Sequence, residues 1–245
     1  VTVRWQAHGS SDRGRLRPAN EDSYLVDEPG GLFVVADGMG GHAAGALASR
    51  LAVETTAAAL AGKVPIPEGM PESAGAVRAA QLALTDAVRN DSGRRGMGTT
   101  LTFCRLRADG EMEIGHIGDS RLYRLRNGTL EQLTRDHTWI QREVDAGKIS
   151  PERAQRHPNA HILVRSLMAD VWMDPDVLED RALPDDMLLL CSDGLTGPLT
   201  DRQIGEVMGT GGTLEDVAAE LIDRANRAGG PDNITVVLVR VTEGE

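Results

Sequence analysis

The sequence predicts an α+β sandwich, and three features carry that reading. Strand-like segments follow one another in antiparallel-looking runs joined by short turns, and the helical segments come in separate pairs instead of alternating with single strands. Apolar strands also end repeatedly on an acid next to glycine, serine or asparagine, so four carboxylates stand at strand ends: Asp37, Asp119, Asp193 and Asp232. Helix pairs on the outer faces would cover the sheets, and regular βαβ alternation is disfavoured.

Taken in order, residues 1–7 read as a strand. Residues 8–20 read as a polar connector with Arg13, Arg15 and Arg17 at alternate positions, which would share one face if the segment is extended. Residues 23–27 and 32–36 flank a Pro-Gly-Gly turn and read as a hairpin. Residues 43–61 form a helix by the recurrence of Ala44, Leu47, Ala48 and Leu51, and a proline-containing loop over 62–73 separates it from a second helix, about 74–90. Strands are then expected over 99–106, 113–117, 121–126 and 129–133, with Asn127-Gly128 as a two-residue hairpin turn. Residues 139–161 read as a helical insertion, its second helix opened by Ser150-Pro151. The strand 187–192 precedes a capping box at Thr200-Gln203, an amphipathic helix over 213–227 ended by Gly229-Gly230, and a last strand over 234–241.

The 245 residues, 40% hydrophobic, suffice for one core, and no linker or repeat divides them, so residues 1–245 are expected to form a single domain. No apolar run approaches the roughly 20 residues that cross a bilayer, and no signal-peptide layout opens the chain. A cytoplasmic location without membrane contact by this segment is expected; the chain opens on Val1, so an anchor outside these residues is compatible with it. The excess of 37 acids over 26 bases, net charge −11, disfavours a nucleic-acid partner. Cys104 and Cys191, in no metal-ligand spacing, read as buried thiols.

Hard oxygen donors without a matching His or Cys cluster point to Mg or Mn. Asp37 followed by Gly38 offers a bridging carboxylate and an unobstructed carbonyl. Adjacent cations held this way lower the pKa of a bridging water and clamp a phosphoryl oxygen, so no covalent intermediate is needed. Arg17 supplies a planar donor that matches phosphate. Each of these turns alone is ordinary; their joint occurrence carries the reading.

The stretches RPANEDSY (17–24), VADGMGGHAAG (35–45), GMGTTLT (96–102), HIGDSRLY (116–123), LTRDHT (133–138), LLCSDGLT (189–196) and GGPDNITVV (229–237) resemble, in family order, the bacterial metal-dependent serine/threonine protein phosphatases of type 2C. The resemblance implies a four-layer αββα sandwich, two central antiparallel sheets flanked by helix pairs, with a binuclear Mn2+ or Mg2+ site and a third ion in some members. It implies that Asp37 bridges both metals, that the Gly38 carbonyl binds one, and that Asp193 and Asp232 bind the other. Asp119 would join Asp193 at the third ion, and Arg17 would hold the substrate phosphate. Glu21, Asp22 and Asn233 would support the metal site from behind. The insertion, about 139–165, falls where the family has a mobile flap. Phosphorylated proteins, substrates of a serine/threonine kinase, are the implied partners, and a monomer is expected.

Two departures stand out. Met39 occupies the place of a histidine that serves eukaryotic members as general acid, as is usual in bacterial ones, which leaves His42 as a nearby alternative. Leu167 is followed by Met168 where the family commonly has Leu-Gly. Residues 38–43 also fit the dinucleotide pattern G-x-G-x-x-A, but Asp37 would repel a pyrophosphate there. A non-catalytic binding module would be expected to have lost metal aspartates, and Ser120 and Ser192 lie in no nucleophile elbow.

Overall fold

Alternation along three strands sorts the apolar side chains into layers, as the period-2 geometry of strands requires. In the computed structural model, which describes residues 2–41, 43–154 and 157–244, strand β3 (Leu32–Met39) sends Leu32, Val34 and Ala36 to one face and Phe33 and Val35 to the other. Strands β11 (Met187–Cys191) and β12 (Ile234–Glu243) divide likewise: Leu188, Leu190, Val237 and Val239 face one core, Leu189, Cys191, Val236 and Leu238 another. Strands with both faces apolar need cover on both sides. Two sheets back to back with helices outside is the arrangement that provides it.

The five-stranded sheet runs β1 (Val3–Asp12), β12, β11, β7 (Arg121–Arg126), β8 (Thr129–Gln132). In the second sheet β3 lies between β2 (Asp22–Asp27) and β5 (Leu101–Leu106), followed by β6 (Glu111–Ile117) and β10 (Asp176–Arg181). The short strand β4 (Gly98–Thr99) continues the line of β5 along the last two residues of β3, and β9 (Leu167–Met168) pairs with β4. Every pairing is antiparallel, which removes the dinucleotide reading. Helices α1 (Ala43–Leu60) and α2 (Glu72–Asn90) cover the second sheet, while α6 (Asp201–Met208) and α7 (Leu214–Arg227) cover the first, giving the four-layer sandwich. The short helices are α3 (Trp139–Asp145) and α4 (Pro151–Ala154) in the insertion, and α5 (Asp193–Thr196) after β11. No helix among the described residues is long and apolar enough to cross a membrane.

Local signals held where a specific atom enforces them. Asn127 and Gly128 take positive φ, 51° and 75°, closing the β7–β8 hairpin. The Thr200 side chain accepts from the Gln203 backbone while the Gln203 side chain accepts from Thr200 N–H. Cys104 and Cys191 are buried free thiols; burial pushes the Cys191 thiol up to about 12 and Cys104 also upward.

Three expectations are corrected. Strand β1 continues through Asp12, paired with β12 along its length, so the polar stretch from His8 is strand, and Arg13, Arg15 and Arg17 lie in the following irregular loop without a shared strand face. The strand expected over 99–106 is interrupted at Thr100: its N–H still donates to the Asp37 carbonyl at 2.9 Å, but the Asp37 N–H takes the Thr100 hydroxyl, also at 2.9 Å. Strand β10 was not foreseen: Asp176–Arg181 mixes acids with Val177 and Leu178 and lies half exposed at a sheet edge, so no alternation marks it.

Candidate active site

The acids meet at the edge where the two sheets adjoin. Asp37 comes from β3 of one sheet, and Asp193 and Asp232 follow β11 and precede β12 of the other. Asp119 sits between β6 and β7, after Gly118 at φ 116°. Buried carboxylates gathered this closely disfavour one another as anions. Asp37 is held well above the usual carboxylate range by burial, then by Asp22, Asp193, Asp119 and Asp232. Asp119, 8% exposed, is raised by burial and by Asp193. Asp193 is raised by burial and Asp232, and pulled back by a hydrogen bond with Asp37 and by Arg17.

The backbone beneath Asp37 is fixed by two threonines. Asp37 N–H donates to Thr100 Oγ1 at 2.9 Å, and Thr99 Oγ1 donates to the Asp37 carbonyl at 2.8 Å. Thr100 Oγ1 also meets Ser120 Oγ at 2.7 Å, next to Asp119. Sequence reasoning missed both threonines, since a threonine in a strand carries no signal of what its hydroxyl holds.

Glycines let the backbones converge. A Cβ on Gly38 would come to 2.1 Å from the Gly45 carbonyl oxygen and 2.6 Å from that of Glu21, so Gly38 is required by close approach of β3 to α1. At Gly194 a Cβ would meet the Asn233 carbonyl oxygen at 1.9 Å. Both glycines neighbour a candidate ligand.

Behind the acids, Asp22 accepts from Ser192 Oγ at 2.7 Å and Thr235 Oγ1 at 2.6 Å; burial pushes its carboxyl up to about 7 against those two bonds. Glu21 N–H donates to Asn233 Oδ1, whose amide Nδ2 donates to the carbonyls of Arg13 and Ala19 at 2.8 and 2.9 Å. Asn233 thus staples the loop that carries Arg17. Arg17 Nη2 donates to Asp232 Oδ2 at 2.5 Å, and Asp232 Oδ1 accepts from Asn233 N–H at 2.8 Å. Both Asp232 oxygens are therefore engaged. His42 lies outside the described residues.

The donor set fits a hard divalent cation. Asp193 Oδ1 and Asp22 Oδ1 are buried with no hydrogen-bond partner, a costly state that a cation or its waters would relieve. Among the described residues no three His, Cys, Asp or Glu side chains form a ready cage around one point. Magnesium-like ions do not need one, because they keep several waters and take one or two carboxylates each.

A cavity of 540 Å³ opens from Asp119 and Asp193 toward α3 and α4. The insertion that lines it is closed at its base: Trp139 N–H donates to the Ile162 carbonyl and Val164 N–H to the His137 carbonyl, each at 2.8 Å.

A double antiparallel sandwich with carboxylates gathered at its open edge defines a class, and the comparisons agree: residues 17–238 match the protein phosphatase 2C family model, and the chain belongs to that family. It is 41% identical to the serine/threonine protein phosphatase PstP of Mycobacterium tuberculosis over 99% of this chain, and spans 46% of that protein's length. A serine/threonine phosphatase, stp, of Listeria monocytogenes is 37% identical, with 94% of this chain and 93% of the relative covered. The crystal structure of the PstP catalytic domain in complex with two manganese ions superposes with a TM-score of 0.87 at 38% identity, covering 99% of this chain and all of that one.

Proposed function

We propose that this chain hydrolyses phosphoserine and phosphothreonine in proteins, with water as nucleophile at a binuclear Mn2+ or Mg2+ centre and no covalent phosphoenzyme. The observation that carries the reading is the convergence of Asp37 with Asp193, acids contributed by different sheets that lie close enough for their charges to interact and that burial disfavours as anions. Asp37, the Gly38 carbonyl, Asp193 and Asp232 would hold two ions, and Asp119 with Asp193 a third. When bound, such ions supply a lowered water pKa and neutralisation of phosphate charge.

The protein's own groups do the rest. Thr99 and Thr100 fix the Asp37 backbone, so its carboxylate keeps one orientation. Arg17, with its side chain 46% exposed, lies close enough to Asp37 and Asp193 to interact with both charges. A guanidinium there would hold a phosphate monoanion pair of oxygens and release Asp232 to an ion. Glu21, Asp22 and Asn233 brace these groups from behind.

The deciding experiment is turnover of p-nitrophenyl phosphate and a phosphothreonine peptide with Mn2+, with Mg2+ and with EDTA, using Asp193→Asn as control. Metal-dependent turnover lost in the variant supports the reading; full turnover in EDTA, or by folded Asp193→Asn, refutes it.

A further inference from the structure

The 540 Å³ cavity is larger than a phosphate and its metals need, and its far end has a chemistry of its own. Its apolar lining comes from Ile140 and Val144 of α3 and from Pro198 and Leu199 of the chain after α5. The same cavity is lined by Asp136 and Asp201, and Arg121 is the only lysine or arginine among the described lining residues. Arg121 is already committed. Its Nε donates to Asp136 Oδ1 at 2.9 Å, its Nη2 to Asp136 Oδ2 at 2.7 Å, and its Nη1 lies 3.7 Å from Asp201 Oδ1. Among the described lining residues here, two carboxylates face one guanidinium. Asp201, half exposed, carries the surplus charge at the rim.

A slot with aliphatic walls and an acidic rim suits a side chain with an apolar stem and a cationic tip. An acidic side chain would meet Asp136 and Asp201, and a small polar one would leave the apolar walls wet. We propose that this end of the cleft receives an arginine or lysine flanking the phosphorylated residue of the substrate, seated between α3 and the Pro198–Leu199 segment with its charge toward Asp201. The assignment rests on the phosphatase reading and names the substrate class for it.

The test is a panel of fluorescein-labelled phosphothreonine peptides with Arg, Ala or Glu at each flanking position, read by kcat/KM with Mn2+ and by anisotropy for binding. At one position Arg should exceed Ala by about five-fold and Glu should fall below Ala by a similar factor, the size expected of a partly exposed ion pair. Asp201→Asn and Val144→Lys should each bring the Arg-to-Ala ratio toward one. Because the ratio is taken within one protein, a general loss of turnover cancels. Arg, Ala and Glu within two-fold of each other at every position by both readouts, or an Arg preference that neither variant weakens, overturns the assignment. Turnover of p-nitrophenyl phosphate, which has no flanking residue, tests the phosphatase reading alone, and the anisotropy arm reads the preference even if that turnover fails.

Discussion

Asp22 of β2 accepts a 2.6 Å hydrogen bond from the Thr235 hydroxyl of β12, which ties a carboxylate of one sheet to a side chain of the other beside the acids proposed to hold metal. The same carboxyl is disfavoured as an anion by burial and by Asp193 and Asp232.

Asp22→Asn should therefore stabilise the metal-free protein while weakening its response to manganese. The amide oxygen keeps both hydroxyl bonds, and a buried charge is removed, a gain of about 1–2 kcal/mol. Thermal melts at pH 7.5 in EDTA and in excess Mn2+ measure both effects. A lower midpoint in EDTA than for the parent would refute the account.

Thr100→Val deletes the oxygen that joins the Asp37 N–H to Ser120 and leaves the volume nearly unchanged. Loss of buried hydrogen bonds should cost about 1–3 kcal/mol, and the loosened ligand should lower manganese affinity by about 10–100-fold. Calorimetric titration of the folded variant with Mn2+ reads the second number; an unchanged affinity returns Thr100 to a packing role.

Arg17→Ala should raise KM for phosphothreonine peptides about ten-fold or more, the loss of one charge-assisted hydrogen-bond partner. Manganese affinity should hold or rise, because the variant frees Asp232 Oδ2. Weaker metal binding with unchanged KM would make Arg17 a brace for Asp232 and not a phosphate ligand.

Acid stability should depend on His116. Burial, with His137 adding to it, pushes His116 down to about 4, while its ring nitrogens meet Thr102 Oγ1 at 2.9 Å and the Arg135 carbonyl at 3.0 Å. The unfolded chain gains a proton below about pH 6.5 that the native protein refuses until about 4. Stability is therefore whole above that window and falls as pH drops through it, by at most about 1.4 kcal/mol per pH unit. Asp22, raised to about 7, acts with the opposite sign between roughly pH 4 and 7, so the comparison is between proteins. Urea midpoints measured at pH 7.5, 6 and 5 should fall less steeply with decreasing pH in His116→Gln than in the parent.

The layers were legible because alternation in residues 32–36, 187–191 and 234–241 carries its own geometry, and every strand-end acid named from sequence reached the same edge. What sequence left hidden were partners whose residue type is common. Thr99, Thr100, Ser192 and Thr235 are unexceptional strand or turn residues until their hydroxyls are seen on Asp37 and Asp22. The glycines were noticed for a different reason: Gly38 was read as clearing its carbonyl for an ion, whereas its missing side chain also makes room for Gly45 and Glu21. Strand β10 escaped because Val177 and Leu178 are exposed while Asp176 and Asp180 are the half-buried, ion-paired positions, an inversion that no apolar alternation marks.

Strand β1 pairs with β12 from Val3↔Glu243 to Asp12↔Ile234, so the five-stranded sheet closes only when distant parts of the chain find each other. Asp232 stands at the head of β12, and its Arg17 partner follows β1. In kinetic terms the site is a late product of folding, since contacts of such long sequence separation follow the slow loop closures. Manganese present during refolding should leave the folding rate unchanged and slow unfolding, which paired stopped-flow runs with and without the metal would show. On this account the chain would fold before taking up its ions, which would then hold the two sheets against coming apart.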